Sequence, residues 1–356
     1  MNRPAAEQRL RSGGPAWVLE GELRIAPLLP LPRLLADLGL DPAVVIEEGG
    51  SDLSLFDDPA NKIGFRDLGR LLSHAAEVAR CPHLGIEIGR RSGIGATGIV
   101  GRAASLAPDL GSALRTIVFY LHLLDRGAVP TLRRWGERAS MGDVIHVSGV
   151  PGIEHIYDGA LAIIQEILST LAGPRWRASE VRLHRQRPAD VAPYRDRFRT
   201  RLRFGARHAE LVFLTCDLGR PLETADPRAF AEAVAGLDEL VQLTGAGYAE
   251  RVRRLLRRVL IEEEDPECAH LCQVAGLLAV HPRTLNRRLR EEGTSFKALI
   301  GETRFEIARQ LLRDTRLPII DVAAALGYGD ATAFIRAFRR AAGVSPGAWR
   351  SQSSLA

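Results

Sequence analysis

The sequence predicts two domains of different class: an α+β N-terminal sensor domain and an all-α C-terminal domain with tandem helix-turn-helix motifs. The first observation behind this prediction is the length of 356 residues, which exceeds one typical domain. The second is a mixture of helical and strand periods up to about residue 220. The third is an internal repeat of helix pairs after residue 248, where every segment has a helical period.

Composition is that of a globular protein with room for buried cores, since 46% of the residues are hydrophobic and 26% are charged. The chain has no run of 18 apolar residues, so no transmembrane helix is predicted. Its first residues, "MNRPAAEQRLRSGGPAW", lack the apolar segment of a secretory signal. We therefore expect a cytoplasmic protein that does not associate with a membrane.

Four cysteines, Cys81, Cys216, Cys268 and Cys272, do not suggest a disulfide framework in a chain of this length. Cys268, His270 and Cys272 are the best candidate metal ligands. A tetrahedral zinc site needs a fourth ligand, however, and no second Cys-x-x-Cys or His-x-x-x-His pair is present. We expect no metal and no cofactor.

Positive charge is concentrated in the C-terminal third of the chain. Residues 250–356 hold 18 of the 48 basic residues and 13 of the 43 acidic ones, so the whole net charge of +5 belongs to them. A basic domain joined to a neutral one suggests that the basic domain has a polyanionic partner.

The N-terminal half begins with helices. Residues 1–24 show no periodicity and are predicted as a flexible tail. Two short helices follow in "LPRLLADLGL" and "DPAVVIEEGG", the second capped by Asp41 with Pro42 at its first position. "FRDLGRLLSHAAEVAR" places its leucines and alanines on one helical face, and "LGSALRTIVFYLHLL" forms another helix.

The following segments have the two-residue period of strands, and one further helix lies among them. "PTLRRWGERAS" and "DVIHVSGV" predict a hairpin with "MGD" near its turn, and "SEVRLHRQ" and "HAELVFLTCDL" predict further strands. Between them "IYDGALAIIQEILSTLAG" is helical and ends at Gly173-Pro174. Residues 221–246, rich in Ala, Gly, Pro and Asp, are predicted to link the two domains.

The internal repeat is the most informative feature. "VAGLLAVHPRTLNRRL" (274–289) and "VAAALGYGDATAFIRAF" (322–338) each combine a short helix, a tight turn and a second helix with apolar residues four apart. This is the pattern of a helix-turn-helix, in which apolar residues hold two helices together and the outer face of the second helix stays free. Gly327 suits a turn position with positive φ, whereas the first copy has Ala279 there.

The free faces of the two outer helices are basic. Leu285 and Leu289 are predicted to point inward, as are Phe334 and Phe338, while Pro282 and Asp330 begin the outer helices. A solvated basic face is the simpler alternative, but two matched copies favour DNA. The candidate DNA-binding residues are His281, Arg283, Thr284, Asn286, Arg287 and Arg290 in the first copy and Asp330, Ala331, Thr332, Arg336, Arg339 and Arg340 in the second.

Arginine can bond guanine bidentately and asparagine can bond adenine, so the first outer helix is predicted to discriminate bases better than the second. "FKALIGETRFEIARQLLRDTRLPI" forms a long helix between the copies, which would set the outer helices about 34 Å apart, one turn of DNA. "RVRRLLRRVLIEEEDPE" is assigned to the first helix of this domain, with Arg251 and Arg254 as possible phosphate contacts.

These stretches, together with "GVSPGAWR", resemble the DNA-binding domain of the AraC/XylS family of bacterial transcription regulators over about residues 248–350. Departures are His281 in place of a Ser cap, Ala279 in place of a turn Gly, and Ile335 at a position usually small and polar. The resemblance implies activation of transcription by contact with RNA polymerase.

"HLGIEIGRRSGIGATGIVGRAASLAPDLGSALRTI" carries a second resemblance, to the ligand-binding domain of the ornithine-utilisation and VirS-type branch of the family, over residues 40–217. It implies an α/β sensor of small molecules rather than a β-barrel sugar-binding domain. A homodimer on paired half-sites is expected.

Two other patterns in the sequence suggest different functions. Gly93, Gly95 and Gly98 in "GIGATG" fit a dinucleotide fingerprint, but the following helix is interrupted by Gly101 and no parallel strand follows. A close-packed glycine turn is the preferred interpretation. A set of scattered polar residues also suggests catalysis, but none lies in a recognisable nucleophile context. That set is His74, His122, His146, His155 and Asp158.

The sequence therefore predicts a transcription factor that binds double-stranded promoter DNA and responds to an unidentified small-molecule effector. The alternatives left open are a ligand-independent regulator or repressor whose first domain only dimerises, and a nucleotide-dependent enzyme with a basic accessory domain. The expected organisation is a tail (1–24), an effector-binding and dimerisation domain (25–220), a linker (221–246), the DNA-binding domain (247–350) and a tail (351–356).

Overall fold

A computed structural model divides the chain into two compact units, unit 1 (Met1–Thr244) and unit 2 (Gly245–Ala356). Within the described part of the chain, no helix is both long and apolar enough to cross a membrane. The described residues are 21–145, 147, 149–206, 209–243, 248–262, 271–277, 280–314 and 318–353.

The described part of unit 1 begins with a small antiparallel sheet. Strand β1 (Glu22–Arg24) pairs with β2 (Lys62–Gly64), and Leu23 between them is buried. The prediction of a flexible tail over residues 1–24 is therefore wrong for 22–24, because three residues are too few to show a period. Residues 1–20 lie outside the described ranges.

Helices build most of unit 1, and the predicted ones are found. The Asp41 side chain caps α2 by accepting a hydrogen bond from the amide of Ala43 at 2.9 Å, as the sequence predicts. The helices are α1 (Leu31–Asp37), α2 (Pro42–Glu48), α3 (Phe65–Val78), α4 (Leu84–Ser92), α5 (Gly98–Ser105), α6 (Leu110–Tyr120), α7 (Ile153–Ala172), α8 (Ala192–Phe198) and α9 (Pro227–Leu243), with short 3-10 turns at Ala26–Leu28, Leu53–Phe56, Ile94–Thr97, Leu121–Leu123 and Thr215–Gly219.

A five-stranded sheet completes unit 1, in the order β3-β4-β7-β5-β6. All its pairs are antiparallel except β5 with β6. β6 has only three residues, too few to show the alternation of residues that predicts a strand. The strands are β3 (Ala128–Trp135), β4 (Arg138–Ile145), β5 (Glu180–Arg182), β6 (Arg201–Arg203) and β7 (Ala209–Leu214).

The predicted hairpin exists, but its turn is not at "MGD". β3 and β4 pair up to Trp135 and Arg138, so the turn is Gly136-Glu137, and Gly136 takes a positive φ of 55°. Gly142 instead lies inside β4, where a Cβ would come within 2.3 Å of the Ala209 carbonyl oxygen on β7. Gly142 therefore does not form a turn. Its lack of a side chain permits β4 and β7 to approach each other closely.

Helix α7 lies against α4 at very short range. A Cβ on Gly85 would be 2.1 Å from the carbonyl oxygen of His155, and one on Gly89 would be 2.3 Å from that of Gly159. Because Gly85 and Gly89 have no side chain, the backbones of α4 and α7 can approach each other this closely. Leu161, Leu168 and their neighbours on α7 are buried in the core of unit 1.

The segment 221–246, predicted as a linker, contains a 17-residue helix, α9. Leu237 and Val241 belong to the core of unit 1, and the Tyr120 hydroxyl donates to Asp238 Oδ1 at 2.8 Å. The abundance of Ala and Gly in the segment concealed an apolar face whose residues recur every three or four positions.

Unit 2 is helical throughout its described residues. Its core contains Val322, Phe334 and Phe338 together with Ala308 and Leu312 of the long central helix. The helices are α10 (Tyr248–Glu262), α11 (Leu271–Leu277), α12 (Pro282–Glu291), α13 (Phe296–Asp314), α14 (Ile319–Ala325), α15 (Ala331–Ala342) and α16 (Pro346–Ser353).

Candidate nucleic-acid interface and internal cavity

The predicted repeat is present in unit 2 as two helix pairs, α11 with α12 and α14 with α15. The inward residues are those that the apolar spacing indicated. Leu285 and Leu289 on α12 are fully buried, and Phe334 and Phe338 on α15 are 1% and 2% exposed. The first helix of each pair contributes Val274 and Ala275 or Val322 and Ala323, all of them buried.

The structure describes the turn of the second copy, but only part of the turn of the first. Gly327 has a φ of 69°, so the predicted positive φ in the second turn is confirmed. Ala279 and Leu278, in the first turn, lie outside the described residues.

Both outer helices begin with a side-chain cap. Asp330 Oδ1 accepts a hydrogen bond from the amide of Ala333 at 2.6 Å, as predicted. In the first copy His281 Nδ1 accepts from the amide of Arg283 at 3.2 Å, and Pro282 occupies the first position of α12. A histidine thus serves at the position where serine is common.

The outward face of α12 is basic. Arg283, Arg287 and Arg290 are exposed, and Asn286 and Thr284 are half-buried beside them. A shallow hollow in the surface is lined by three arginines, Asn286 and Glu291. Arg287 Nη1 lies 3.2 Å from Glu291 Oε1, one turn later on the same exposed face. This surface arginine can exchange its weak pair for a nucleic-acid acceptor at little cost.

The outward face of α15 carries fewer groups that can read bases. Thr332, Arg336, Arg339 and Arg340 are exposed, and so is Ile335 at 37%. Ala331 is half-buried and Asp330 is engaged in the cap. The structure therefore exposes Arg283, Arg287 and Arg290 on α12 and Thr332, Arg336, Arg339 and Arg340 on α15, whereas Thr284, Asn286 and Ala331 are half-buried. Arg251 and Arg254 lie on α10, and their side chains are outside the described part.

Two other arginines of unit 2, Arg288 and Arg309, are half-buried and pack against aromatic rings. The guanidinium of Arg288 lies 5.0 Å from the centroid of the Tyr248 ring, and Arg309 lies 4.8 Å from that of Trp349. Glu292, at the end of α12, accepts hydrogen bonds from the amides of Tyr248 and Ala249 and so caps α10. Sequence spacing contains no sign of these contacts, because they join residues about 40 positions apart.

Unit 1 contains a cavity of about 420 Å³ that the sequence did not reveal. Helix α7, the α3 and α4 helices, strands β3 and β4 and the turn Ile94–Thr97 contribute to its wall. Gly95, Ala96, Thr97 and Gly98 of "GIGATG" line it, and Gly93 and Gly98 have positive φ. The motif forms a glycine turn, as expected, but the turn is not close-packed, because a Cβ on Gly93 or Gly95 would meet no atom within 4 Å. The turn instead forms part of the cavity wall.

The scattered residues that suggested catalysis do not form a constellation in the described structure. His74 pairs with Glu48 at 3.3 Å, and His122 contacts the carbonyl oxygen of Phe119. Asp158 is buried, and its Oδ2 lies 2.8 Å from Arg185 Nε. Burial raises the pKa of the Asp158 carboxyl, against the opposing effect of Arg185. His146 lies outside the described residues.

His155 differs from the other histidines because it lines the cavity. Its side chain is 8% exposed, and its Nδ1 atom is buried with no hydrogen-bond partner among the described residues. Burial and the charge of Arg185 lower the pKa of His155. Cys268 and His270 lie outside the described residues, and within the described part no group of three or more metal-ligating side chains occurs.

Comparisons with known proteins agree with this division. Residues 39–222 match the family model described as the arabinose-binding domain of AraC transcription regulator, N-terminal, and residues 274–352 match a helix-turn-helix domain. The HTH-type transcriptional regulator VirS of Mycobacterium tuberculosis is 27% identical over 324 residues, which cover 90% of this chain and 94% of VirS.

Two further similarities are to proteins of Pseudomonas aeruginosa. The ornithine utilization regulator is 26% identical over 319 residues, covering 89% of this chain and 93% of that protein. The crystal structure of the transcriptional regulator CdpR is 25% identical, covers 90% of this chain and 96% of its own, and superposes with a TM-score of 0.47.

Proposed function

The chain belongs to the AraC family of transcription regulators, and from this premise we propose that the outward faces of α12 and α15 bind promoter DNA. The protein regulates transcription, with an N-terminal ligand-binding domain and a C-terminal helix-turn-helix domain, as its relatives do. Members of the family are not enzymes, so the alternative of a nucleotide-dependent enzyme is wrong.

The observation that carries the proposal is that both outer helices expose a basic face and begin with a side-chain cap. Arg283 and Arg287 are exposed on α12, and Arg336 and Arg339 are exposed on α15. Phosphates are anionic, so the exposed arginines on α12 and α15 favour binding to the DNA backbone. Arg251 and Arg254 on α10 are proposed as further phosphate contacts.

The first copy is proposed to supply most of the sequence discrimination. Arg287 and Arg283 can each donate two hydrogen bonds to a guanine, and Asn286 can pair with an adenine. On α15 we propose Thr332 and Arg336, both exposed, as the residues that read a base, and Ile335 offers a methyl contact at most.

Unit 1 is proposed to sense a small effector, and its cavity supports this role. A volume of about 420 Å³ falls within the roughly 300–1,000 Å³ that is usual for small-molecule sites. We further propose that the protein is a cytoplasmic homodimer that activates transcription through RNA polymerase. A ligand-independent regulator or repressor, in which unit 1 serves only dimerisation, would have no use for this cavity.

The test is binding of the full chain to its own upstream intergenic DNA and to scrambled DNA of the same composition, over a range of salt concentrations. We expect preference for the native fragment and a logarithmic salt slope of about −0.9 for each phosphate contacted. The variant Arg33→Ala, in an exposed part of α1, serves as a control for loss of one charge. Equal, weak and salt-insensitive binding to both DNAs would contradict the proposal.

A further inference from the structure

The wall of the unit 1 cavity is mainly hydrocarbon. Leu68, Leu72, Ile88, Ile163 and Ile167 are among its lining residues. Such a wall stabilises a ligand by removing its apolar surface from water. A sugar, which carries a hydroxyl on nearly every carbon, would leave most of those hydroxyls without partners there.

One cation in this wall has an unsatisfied donor. The Nε atom of Arg24 is buried and has no hydrogen-bond partner among the described residues. Burial lowers the pKa of Arg24, and the charge of Asp58 acts against that shift without forming a close ion pair in the described structure. A guanidinium in such a place is stabilised by an incoming anion, most of all by a carboxylate, which it can bind through two hydrogen bonds.

The acidic residues in the wall are already engaged. Asp125 Oδ1 accepts hydrogen bonds from the amides of Gly127 and Ala128 at 2.9 and 3.0 Å. Asp143 also interacts within the protein. Both acidic residues therefore have partners within the protein, whereas the Nε atom of Arg24 has none among the described residues. His155 adds a second buried polar atom without a hydrogen-bond partner among the described residues, its Nδ1, to a mainly apolar wall.

We propose that this cavity binds an apolar carboxylate, with Arg24 as the partner of the carboxylate group and His155 as a second hydrogen-bonding residue. The inference rests on the proposed role of unit 1 as the effector sensor and names the chemical class of the effector. The hydrocarbon part of the ligand lies against the leucine and isoleucine side chains, and the turn containing Gly95 borders it.

The test compares three probes of equal chain length, decanoate, 1-decanol and decylamine, by isothermal titration calorimetry with the full chain. We expect decanoate to bind more tightly than the alcohol and the amine. Substitution Arg24→Met should weaken decanoate binding by about tenfold or more and change alcohol binding much less, because only the acid uses the guanidinium. Arg33→Met removes an exposed arginine of the same unit and is the matched control.

A second variant locates the binding in the cavity. Gly95 lines the cavity and a Cβ there would meet no atom within 4 Å, so Gly95→Leu adds a side chain that begins in open space at the cavity edge. We expect this variant to weaken decanoate and decanol by a similar factor while keeping the thermal midpoint near that of the wild type. Decanoate binding that is unchanged in both Arg24→Met and Gly95→Leu would overturn the proposal, as would decanoate binding no tighter than decanol.

Failure of this inference is separable from failure of the proposed function because the titrations contain no DNA. Sequence-specific DNA binding without any preference for the carboxylate would leave the regulator intact and overturn the ligand class. Decanoate binding that depends on Arg24 in a protein that ignores its upstream DNA would support the ligand class and contradict the DNA-binding surface.

Discussion

The Glu292 carboxylate accepts a hydrogen bond from the backbone amide of Tyr248, so the last turn of the helix-turn-helix in the first copy is attached to the start of α10. The second oxygen accepts from the amide of Ala249 at 2.8 Å. The position of α12 is thus set by a tertiary contact as well as by its buried leucines.

Substitution Glu292→Ala should lower the free energy of unfolding by about 1 kcal/mol, because it leaves two amides at the start of α10 without their cap. Glu291→Ala is the control: its side chain is exposed and pairs only weakly with Arg287. Chemical denaturation of the full chain monitors both. Equal losses in the two variants would mean that the cap contributes nothing.

Arg287→Ala should reduce binding to the native DNA fragment by about 1–3 kcal/mol and relax the preference at one base pair. Arg288→Ala is its neighbour in sequence but contacts the ring of Tyr248, so it should lower stability and leave base preference unchanged. Binding to a panel of single-base variants of the fragment measures the preference. If Arg287→Ala weakens specific and scrambled DNA alike, Arg287 contacts phosphate and not a base.

Gly85→Ala should destabilise unit 1 by about 1–3 kcal/mol or more, because the new methyl would lie 2.1 Å from the His155 carbonyl oxygen and force α4 from α7. Gly95→Ala adds the same methyl in open space and should be tolerated. Thermal unfolding of the two variants, measured side by side, gives the comparison. Similar midpoints would show that α4 can move away from α7 without cost.

Glu210 on β7 is the source of a predicted pH dependence. It is 1% exposed, and it contacts Arg133 on β3 at 2.6 Å, Ser140 on β4 at 2.7 Å and Arg182 on β5 at 2.7 Å. Burial alone would raise the pKa of Glu210, but the two arginines and the serine outweigh it, and the pKa lies below its ordinary value of 4.5.

Because the folded state holds this carboxylate ionised, its contribution to stability is complete above the ordinary pKa and is lost as pH falls through the lowered one. Glu210→Gln should cost about 2 kcal/mol at neutral pH, since both arginines are only partly buried. The difference in unfolding free energy between wild type and variant should shrink on acidification below pH 4.5. A difference that stays constant with pH would exclude this linkage.

The sequence predicted the elements that are long enough to show a repeating pattern of apolar residues. The inward leucines and phenylalanines of α12 and α15, the Asp41 and Asp330 caps and the positive φ of Gly327 all follow from local patterns, and the structure has each of them. These features depend on residues within one or two turns of each other.

What could not be predicted depends on distant contacts or on very short segments. Strands β1, β2 and β6 have three residues each, which is less than two periods. β5 is equally short, but the longer segment "SEVRLHRQ" around it has a strand period. The placement of the hairpin turn was wrong because two glycines were available, and only the approach of β7 distinguishes Gly142 from Gly136. The cavity and the Glu292 cap arise from elements that are far apart in the chain.

The inclusion of α9 in the core of unit 1 determines where the protein can be cut and rejoined. A chimera that attached a foreign DNA-binding domain after residue 220 would discard Leu237, Val241 and the Asp238 partner of Tyr120, and would expose the hydrophobic surface they cover. Transplantation of the sensing unit to another promoter system therefore requires the chain through Leu243, and a biosensor joined there would keep its cavity and its core together.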